Sequence, residues 1–219
     1  MRRCKAQPFV AVVALVAATT AWAQGARPFA DLLLQVLDIR SGSTVAEVGA
    51  GRGDFAFRMA EAVGPKGRVY ANEIAQDNVA QIERAGRDRG VSNLVAVLGD
   101  ESDPRLSGPV DRIVMIDVYH HLARPAEFMG NLRKYLNPGG RLAVAAVVNK
   151  RNPQAKPSTS KTHDPCVSDP EETKKAIEQA GFVFETLVLH EDPVRSYFWP
   201  TSYILVFRLP APHGSARRP

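Results

Sequence analysis

The sequence predicts an α/β fold, a parallel sheet covered by helices on both faces. Two observations carry that prediction. Short β-branched runs alternate along the chain with longer stretches of helical periodicity, the pattern that builds a parallel sheet from repeated strand–helix units. Within this alternation, residues Val45–Asp54 read Val-Ala-Glu-Val-Gly-Ala-Gly-Arg-Gly-Asp, a strand that runs into a glycine turn and leaves it as a helix. With 219 residues, 45% of them hydrophobic, the chain can bury a substantial single-domain core without metals or disulfides.

Phe29, Leu32, Leu33, Val36 and Leu37 share one helical stripe, which predicts a short leading helix ending near Ser41-Gly42. Thr44–Val48 is the first strand, and Asp54–Val63 a helix capped by Asp54 or its neighbourhood. Gly64-Pro65-Lys66-Gly67 is a turn, and the second strand, Arg68-Val-Tyr-Ala-Asn-Glu73, ends on a carboxylate. Ile74–Arg89 reads as a helix with Val79 and Ile82 inward, and Leu94–Leu98 as the third strand. A loop over Asp103–Pro109 leads to the fourth strand, Arg112–Asp117, whose near-continuous apolar run suits a strand buried on both faces. Pro125–Leu136 is a helix, Pro138-Gly139-Gly140 a turn, and Arg141–Val148 the fifth strand. Pro170–Ala180 forms another helix, capped by Ser168 or Asp169, before strands at Phe182–Leu189 and Ser202–Leu209. Asn149–Asp169 is the one long irregular insertion; at the carboxyl end of the sheet such a segment serves as a lid, a substrate wall or a plain surface loop. The tail Ala211–Pro219, rich in Pro, Gly and Arg, reads as disordered.

The glycine turn carries the chemistry. Gly49, Gly51 and Gly53 lack Cβ atoms, so the loop tolerates positive φ and lets a ligand approach the main chain. Glu73, about 20 residues further on, stands where nucleoside-binding α/β domains place an acceptor for ribose hydroxyls. Dinucleotide sites use Gly-x-Gly-x-x-Gly against a pyrophosphate. Here the pattern is Glu-x-Gly-x-Gly-x-Gly, with Glu47 before the turn and Asp54 after it. Carboxylates on both sides repel a pyrophosphate and suit a ligand carrying an ammonium and a sulfonium.

This loop resembles the first motif of class I S-adenosylmethionine-dependent methyltransferases. The resemblance runs from about Pro28 to Leu209, with further landmarks at Asp100, at Asp111–Asp117 followed by Tyr119-His120-His121, and at Leu136-Asn-Pro-Gly-Gly-Arg-Leu142. It implies a Rossmann-like, seven-stranded, mostly parallel sheet with the last strand antiparallel, and S-adenosylmethionine as cofactor. Residue by residue, it implies Glu47 near the methionine ammonium, and Gly49, Ala50, Gly51 and Gly53 along the loop. Glu73 would take the ribose hydroxyls, Asp100 the adenine amino group, and Asp117 the methionine portion and reactive centre. Asp100 also reads as a simple turn cap within Gly99-Asp100-Glu101.

On the acceptor side the candidates are Asp117, Tyr119 and His120. A methyl on a sulfonium is already activated, so the enzyme must chiefly align a nucleophile and exclude water. A hydroxyl or amine acceptor also calls for a base, and imidazole has a suitable pKa. Two adjacent histidines on one turn point differently, which favours His120 as base and leaves His121 to pack or cap. The acceptor is a small molecule or a protein side chain. Val63-Gly-Pro-Lys-Gly-Arg-Val-Tyr70 resembles isoaspartyl-type carboxyl methyltransferases, although the Ser/Thr-rich region upstream of that group's domain is missing here. A non-catalytic cofactor-binding domain of the same fold is the remaining alternative. Val148-Asn149 replaces the Asp-Asn pair of metal-assisted catechol-type enzymes, and His163 with Cys166 lacks further ligands, so no metal is expected. Asp-Val-Tyr-His-His stands where nucleic-acid methyltransferases carry an Asn-Pro-Pro-Tyr-like signature, so no nucleic acid is expected either.

The N-terminus reads as a secretory signal. Arg2, Arg3 and Lys5 precede the uncharged stretch Pro8–Thr20, and Ala21-Trp-Ala23 offers a small-x-small cleavage site. This divides the chain into a signal peptide (1–23), a catalytic domain (24–210) and a tail (211–219). It predicts an exported bacterial, periplasmic or secreted protein without stable membrane association after cleavage; a misassigned start would leave it cytoplasmic. Three of the five net positive charges lie before Ala23, which leaves +2 for the mature chain, too little for a nucleic-acid footprint. Cys166 is the one cysteine after Ala23, which excludes an internal disulfide. Oligomeric state has no signature in the sequence.

Overall fold

The computed structural model describes residues 29–147, 169–191 and 201–210. The expected signal peptide, nearly all of the 149–169 insertion with His163 and Cys166, and the tail lie outside the described residues. In chain order the elements are α1 (Phe29–Val36), β1 (Thr44–Val48), α2 (Asp54–Val63), β2 (Arg68–Glu73), α3 (Gln76–Asp88), β3 (Leu94–Leu98) and β4 (Val110–Ile116). They continue with a 3₁₀ turn at Tyr119–His121, then α4 (Pro125–Leu132), β5 (Leu136–Val147), α5 (Pro170–Gln179), β6 (Val183–Glu191) and β7 (Thr201–Arg208).

The strands form one seven-stranded sheet in the order β3-β2-β1-β4-β5-β7-β6. β7 runs antiparallel to both its neighbours, and the pairs from β3 to β5 are parallel. Alternation along each strand splits the core into two layers. Val45, Ala143, Ala145, Ile204 and Val206 face α1 and α2, where Leu33, Leu37, Met59 and Val63 are fully buried. Ala46, Val48, Leu142, Val144, Tyr203 and Phe207 face α4 and α5, against Phe128, Met129, Leu132 and Ile177. Each fully buried leucine contributes about 1.5–3 kcal/mol, so the short α1 is fixed by Leu33 and Leu37 rather than by its own helical stability.

From β1 the chain winds outward to β3 and then crosses back to β4 on the other side of β1. That reversal opens a crevice at the carboxyl ends of β1 and β4, the place where open α/β sheets take ligands.

Several element boundaries differ from the sequence expectation, among them the end of α1 at Val36 rather than near Ser41-Gly42 and the start of β4 at Val110 rather than Arg112. α3 begins at Gln76, not Ile74, because Oε2 of Glu73 accepts hydrogen bonds from the amides of Ile74 (2.8 Å) and Ala75 (3.2 Å) and delays the helix. Asp54 does not cap α2; Gly53 is the cap residue, left-handed at φ 85°, with no side-chain hydrogen bond. The helix expected to reach Leu136 ends at Leu132 and tightens into a 3₁₀ turn over Arg133–Tyr135. β5 starts at Leu136, so Pro138-Gly139-Gly140 becomes an irregularity within the strand, where Val110 pairs with Leu136 and Arg112 with Arg141.

One buried side chain fastens the loop between β3 and β4. Asn72, 2% exposed, donates from Nδ2 to the carbonyl of Pro104 at 2.8 Å and to that of Val97 at 3.4 Å. Replacing Asn72 with alanine strands the Pro104 carbonyl, so N72A should lose about 1–3 kcal/mol of stability. Urea unfolding measures this; an unchanged midpoint and slope would contradict it.

Candidate active site

The glycine turn is built by hydrogen bonds from the neighbouring strand. The amide of Ala50 donates to the carbonyl of Asn72 (2.8 Å), the amide of Gly53 to that of Ala50 (2.8 Å), and the amide of Gly51 to Oε1 of Glu73 (3.0 Å). Gly49 and Gly51 both sit at positive φ, 71° and 56°. They serve differently: a Cβ on Gly49 would collide with the side chain of Val118, whereas the space around Gly51 is open. Ala50 turns its methyl into the core layer beneath α2, 7% exposed, so it can face a ligand through its backbone alone.

Beside this turn lies a cavity of about 260 Å³. Val48 and Gly49 from β1, Asn72, Glu73 and Ile74 from β2, and Asp100 and Glu101 after β3 form one side. Val118, His121, Leu122, Ala123 and Phe128, from the segment after β4, form the other. Of these, the sequence placed Gly49, Glu73 and Asp100 at the site and weighed His121; the others were not singled out as site residues. Asn72 looked like an interior strand residue. Ile74 reads as a helix-start apolar residue, yet it is 59% exposed at the cavity's edge. His121 was expected to pack or cap, and instead borders the cavity.

The acidic residues occupy four distinct environments. Glu47 is 4% exposed, and among the described residues its Oε2 has no hydrogen-bond partner. Burial pushes its carboxyl well above the usual carboxylate range; the amide of Ala56 opposes this, and the charges of Asp54 and Glu73 add to it. Glu73 is satisfied by the three amides of Gly51, Ile74 and Ala75. Asp100 closes its own turn: Oδ1 accepts from the amides of Ser102 (2.7 Å) and Asp103 (2.8 Å) and from the Ser102 hydroxyl, and Oδ2 meets Arg105 at 2.6 Å. It therefore serves as a turn cap while also bordering the cavity. Asp117, at φ 59°, leaves the end of β4 with Oδ1 buried and unpartnered among the described residues.

Tyr119, His120 and His121 form the 3₁₀ turn after β4. The His120 ring is 8% exposed, Nδ1 lies 4.0 Å from Oδ1 of Asp117, and neither ring nitrogen has a partner among the described residues. Burial and the adjacent His121 lower its pKa, against the pull of Asp117, so the imidazole is neutral near pH 7. The two histidine rings are 4.1 Å apart at 48°, and His121 alone of the pair borders the cavity. Tyr119 packs on the α4–α5 core layer, where burial and then Tyr203 raise its phenol pKa; its hydroxyl is thus a donor, not a base. No group of three potential metal ligands occurs among the described residues, and no helix among them is long and apolar enough to cross a membrane.

The cavity sets the apolar wall of Ile74, Leu122 and Phe128 against the acidic side chains of Glu73, Asp100 and Glu101, while Glu47, Gly51 and Asp117 lie outside its lining. A phosphate finds no cation on this wall, which Glu73, Asp100 and Glu101 make acidic.

Comparison with known proteins points the same way. Residues 39–181 match the family described as methyltransferase domain. Nocamycin O-methyltransferase from Saccharothrix syringae is 31% identical over 196 residues, covering 76% of this chain and 68% of that protein. Protein-L-isoaspartate O-methyltransferase from Methanothrix thermoacetophila is 33% identical over 114 residues, 52% of this chain and 51% of that protein. Against some curated relatives the chain thus spans only a third to a half of their length. Among solved structures, a SAM-dependent methyltransferase from Aquifex aeolicus superposes with a TM-score of 0.67 at 22% identity, covering 82% of this chain and 88% of that one.

The turn at Asp100 gives a pH prediction. The Ser102 and Asp103 hydrogen bonds and Arg105 hold its carboxyl at about 2, below the usual 3.8. Because the folded value is depressed, the turn's stabilisation is complete above pH 3.8 and is lost as pH falls through about 2. A carboxyl NMR titration should place Asp100 at the low end of that range; an ordinary midpoint would show that the turn does not form.

Proposed function

The chain belongs to the methyltransferase domain family, with S-adenosylmethionine as its cofactor, and from that membership we propose that it methylates a hydroxyl oxygen of a small molecule, with His120 as the base. The observation that carries this reading is His120 itself: a neutral, buried imidazole with both nitrogens unpartnered among the described residues, next to a carboxyl oxygen of Asp117 in the same condition.

When bound, the cofactor supplies a methyl group activated by the sulfonium, its C–S bond breaking with the electron pair left on sulfur. The chain's own residues do the rest. In this reading the glycine turn admits the cofactor against its backbone, Glu73 receives the ribose hydroxyls, and Asp100 faces the base's amino group. Glu47 and Asp117 answer the positive charge of its amino-acid end. Ile74 and His121 flank the flat ring, as their places on the cavity rim support. His120 would take the proton that the acceptor hydroxyl loses, and Asp117 would stabilise the imidazolium that results. Tyr119, held protonated by burial, donates a hydrogen bond to orient the acceptor.

Similarity to the isoaspartate enzyme supports a second reading, transfer to a protein carboxylate. A carboxylate acceptor is already ionised and needs no base, so that reading leaves His120 without a task. The similarity to an O-methyltransferase of larger coverage supports the first. The basic, apolar and small-residue order of residues 2–23 further supports export of the mature chain; N-terminal sequencing of secreted protein beginning at Gln24 would bear this out, and a retained Met1 would contradict it.

A pair of variants tests the roles. H120A should bind S-adenosylhomocysteine as the wild type does, yet lose about 10²–10⁴ in turnover of a hydroxyl acceptor. H121A should weaken cofactor binding instead. Unchanged turnover in H120A would remove the base assignment, and methylation of an isoaspartyl peptide at wild-type rate by H120A would favour the second reading.

A further inference from the structure

The buried carboxyl of Glu47 sits beneath the ligand-bearing turn with one oxygen unused. It lies two residues before Gly49 on β1, with Ala71 of β2 and Val114 of β4 as register partners. The amide of Ala56 at the start of α2 reaches it from one side. The charged groups facing it are both acidic: Asp54 from the first turn of α2 and Glu73 from the end of β2. Among the described residues no ion pair with lysine or arginine reaches any of the three.

A side chain only 4% exposed with an unpartnered oxygen is expensive as an anion, since nothing repays its lost hydration. Two carboxylates nearby make the anion costlier still. A proton removes that cost, and so does a cation placed at the free oxygen. The two remedies exclude one another, so the arrival of one expels the other.

Resting on the reading of the cavity as an S-adenosylmethionine site, we propose that Glu47 is a proton-exchanging receptor: it holds a proton on its carboxyl while the site is free, and releases that proton to solvent when the cofactor's ammonium binds. The O–H bond of the acid breaks, its electron pair stays on the carboxylate, and the ammonium supplies the compensating charge. Affinity for an ammonium-bearing ligand then rises with pH, about tenfold per unit while the free carboxyl remains protonated, and levels off once it is ionised. The same coupling selects against a nucleoside that lacks the ammonium, because such a ligand leaves the proton in place.

Calorimetry in two buffers of different ionisation enthalpy counts the protons. With the full chain scanned upward from about pH 5, S-adenosylhomocysteine should release protons, approaching one while the free carboxyl stays protonated, and bind more tightly as pH rises. 5′-Methylthioadenosine, the same nucleoside without the amino-acid arm, should release none and bind independently of pH. In the near-isosteric E47Q, proton release with S-adenosylhomocysteine should vanish along with the pH slope. Equal release in wild type and E47Q, equal release with the two ligands, or binding without release would overturn the inference and leave the cofactor reading standing. The two-ligand comparison needs only the wild-type chain, so it decides the matter even if E47Q fails to fold. Failure of both ligands to bind would overturn the cofactor reading itself, and this inference with it.

Discussion

Three backbone amides converge on the carboxylate of Glu73, and the geometry of the site depends on that convergence. Through Oε1 it holds the amide of Gly51 at 3.0 Å and so ties the glycine turn to the end of β2; through Oε2 it holds Ile74 and Ala75 and sets where α3 begins. Charge-assisted hydrogen bonds of this kind are roughly twice as strong as neutral ones. The first bond fixes the turn relative to the strand end, and the other two keep Ile74 out of the helix and on the cavity rim. Asn72, one residue earlier, does the corresponding work for the loop after β3. One strand end thus positions the glycine turn and the loop after β3, which lie on the same side of the cavity.

Around this anchor the site separates its acids by environment. Asp100 caps its own turn, Glu73 accepts from three backbone amides, and Glu47 is buried with an oxygen to spare. A site lined this way gains most from a ligand that brings positive charge, and gains nothing from a phosphate. The segment after β4 adds the reactive side. Its positive-φ Asp117 turns the chain sharply at the strand end, and the 3₁₀ turn that follows sends His121 to the cavity while His120 stays covered beside Asp117.

Much of this was legible in the sequence. Strand–helix alternation and the Glu-x-Gly-x-Gly-x-Gly spacing are local patterns with local causes, and the sheet and glycine turn follow from them. The antiparallel β7 followed from family resemblance, since strand order depends on long-range pairing that no window of sequence contains. The start of α3 was misplaced because its cause is a side chain, Glu73, competing with the helix for backbone amides. Asp54 looked like a cap because its residue type is right; the left-handed Gly53 already ends the turn one residue earlier. The sequence favoured His120 as base and left His121 to pack or cap; that His121 borders the cavity was not readable, because it depends on the direction of a 3₁₀ turn.

The most direct test is calorimetric titration of the protein with S-adenosylmethionine, with NAD as the comparison ligand and Glu73→Ala as the comparison protein. The account predicts micromolar binding of S-adenosylmethionine, none of NAD, and loss of binding in a folded Glu73→Ala variant. Binding that survives the removal of Glu73, or a preference for NAD, would contradict it.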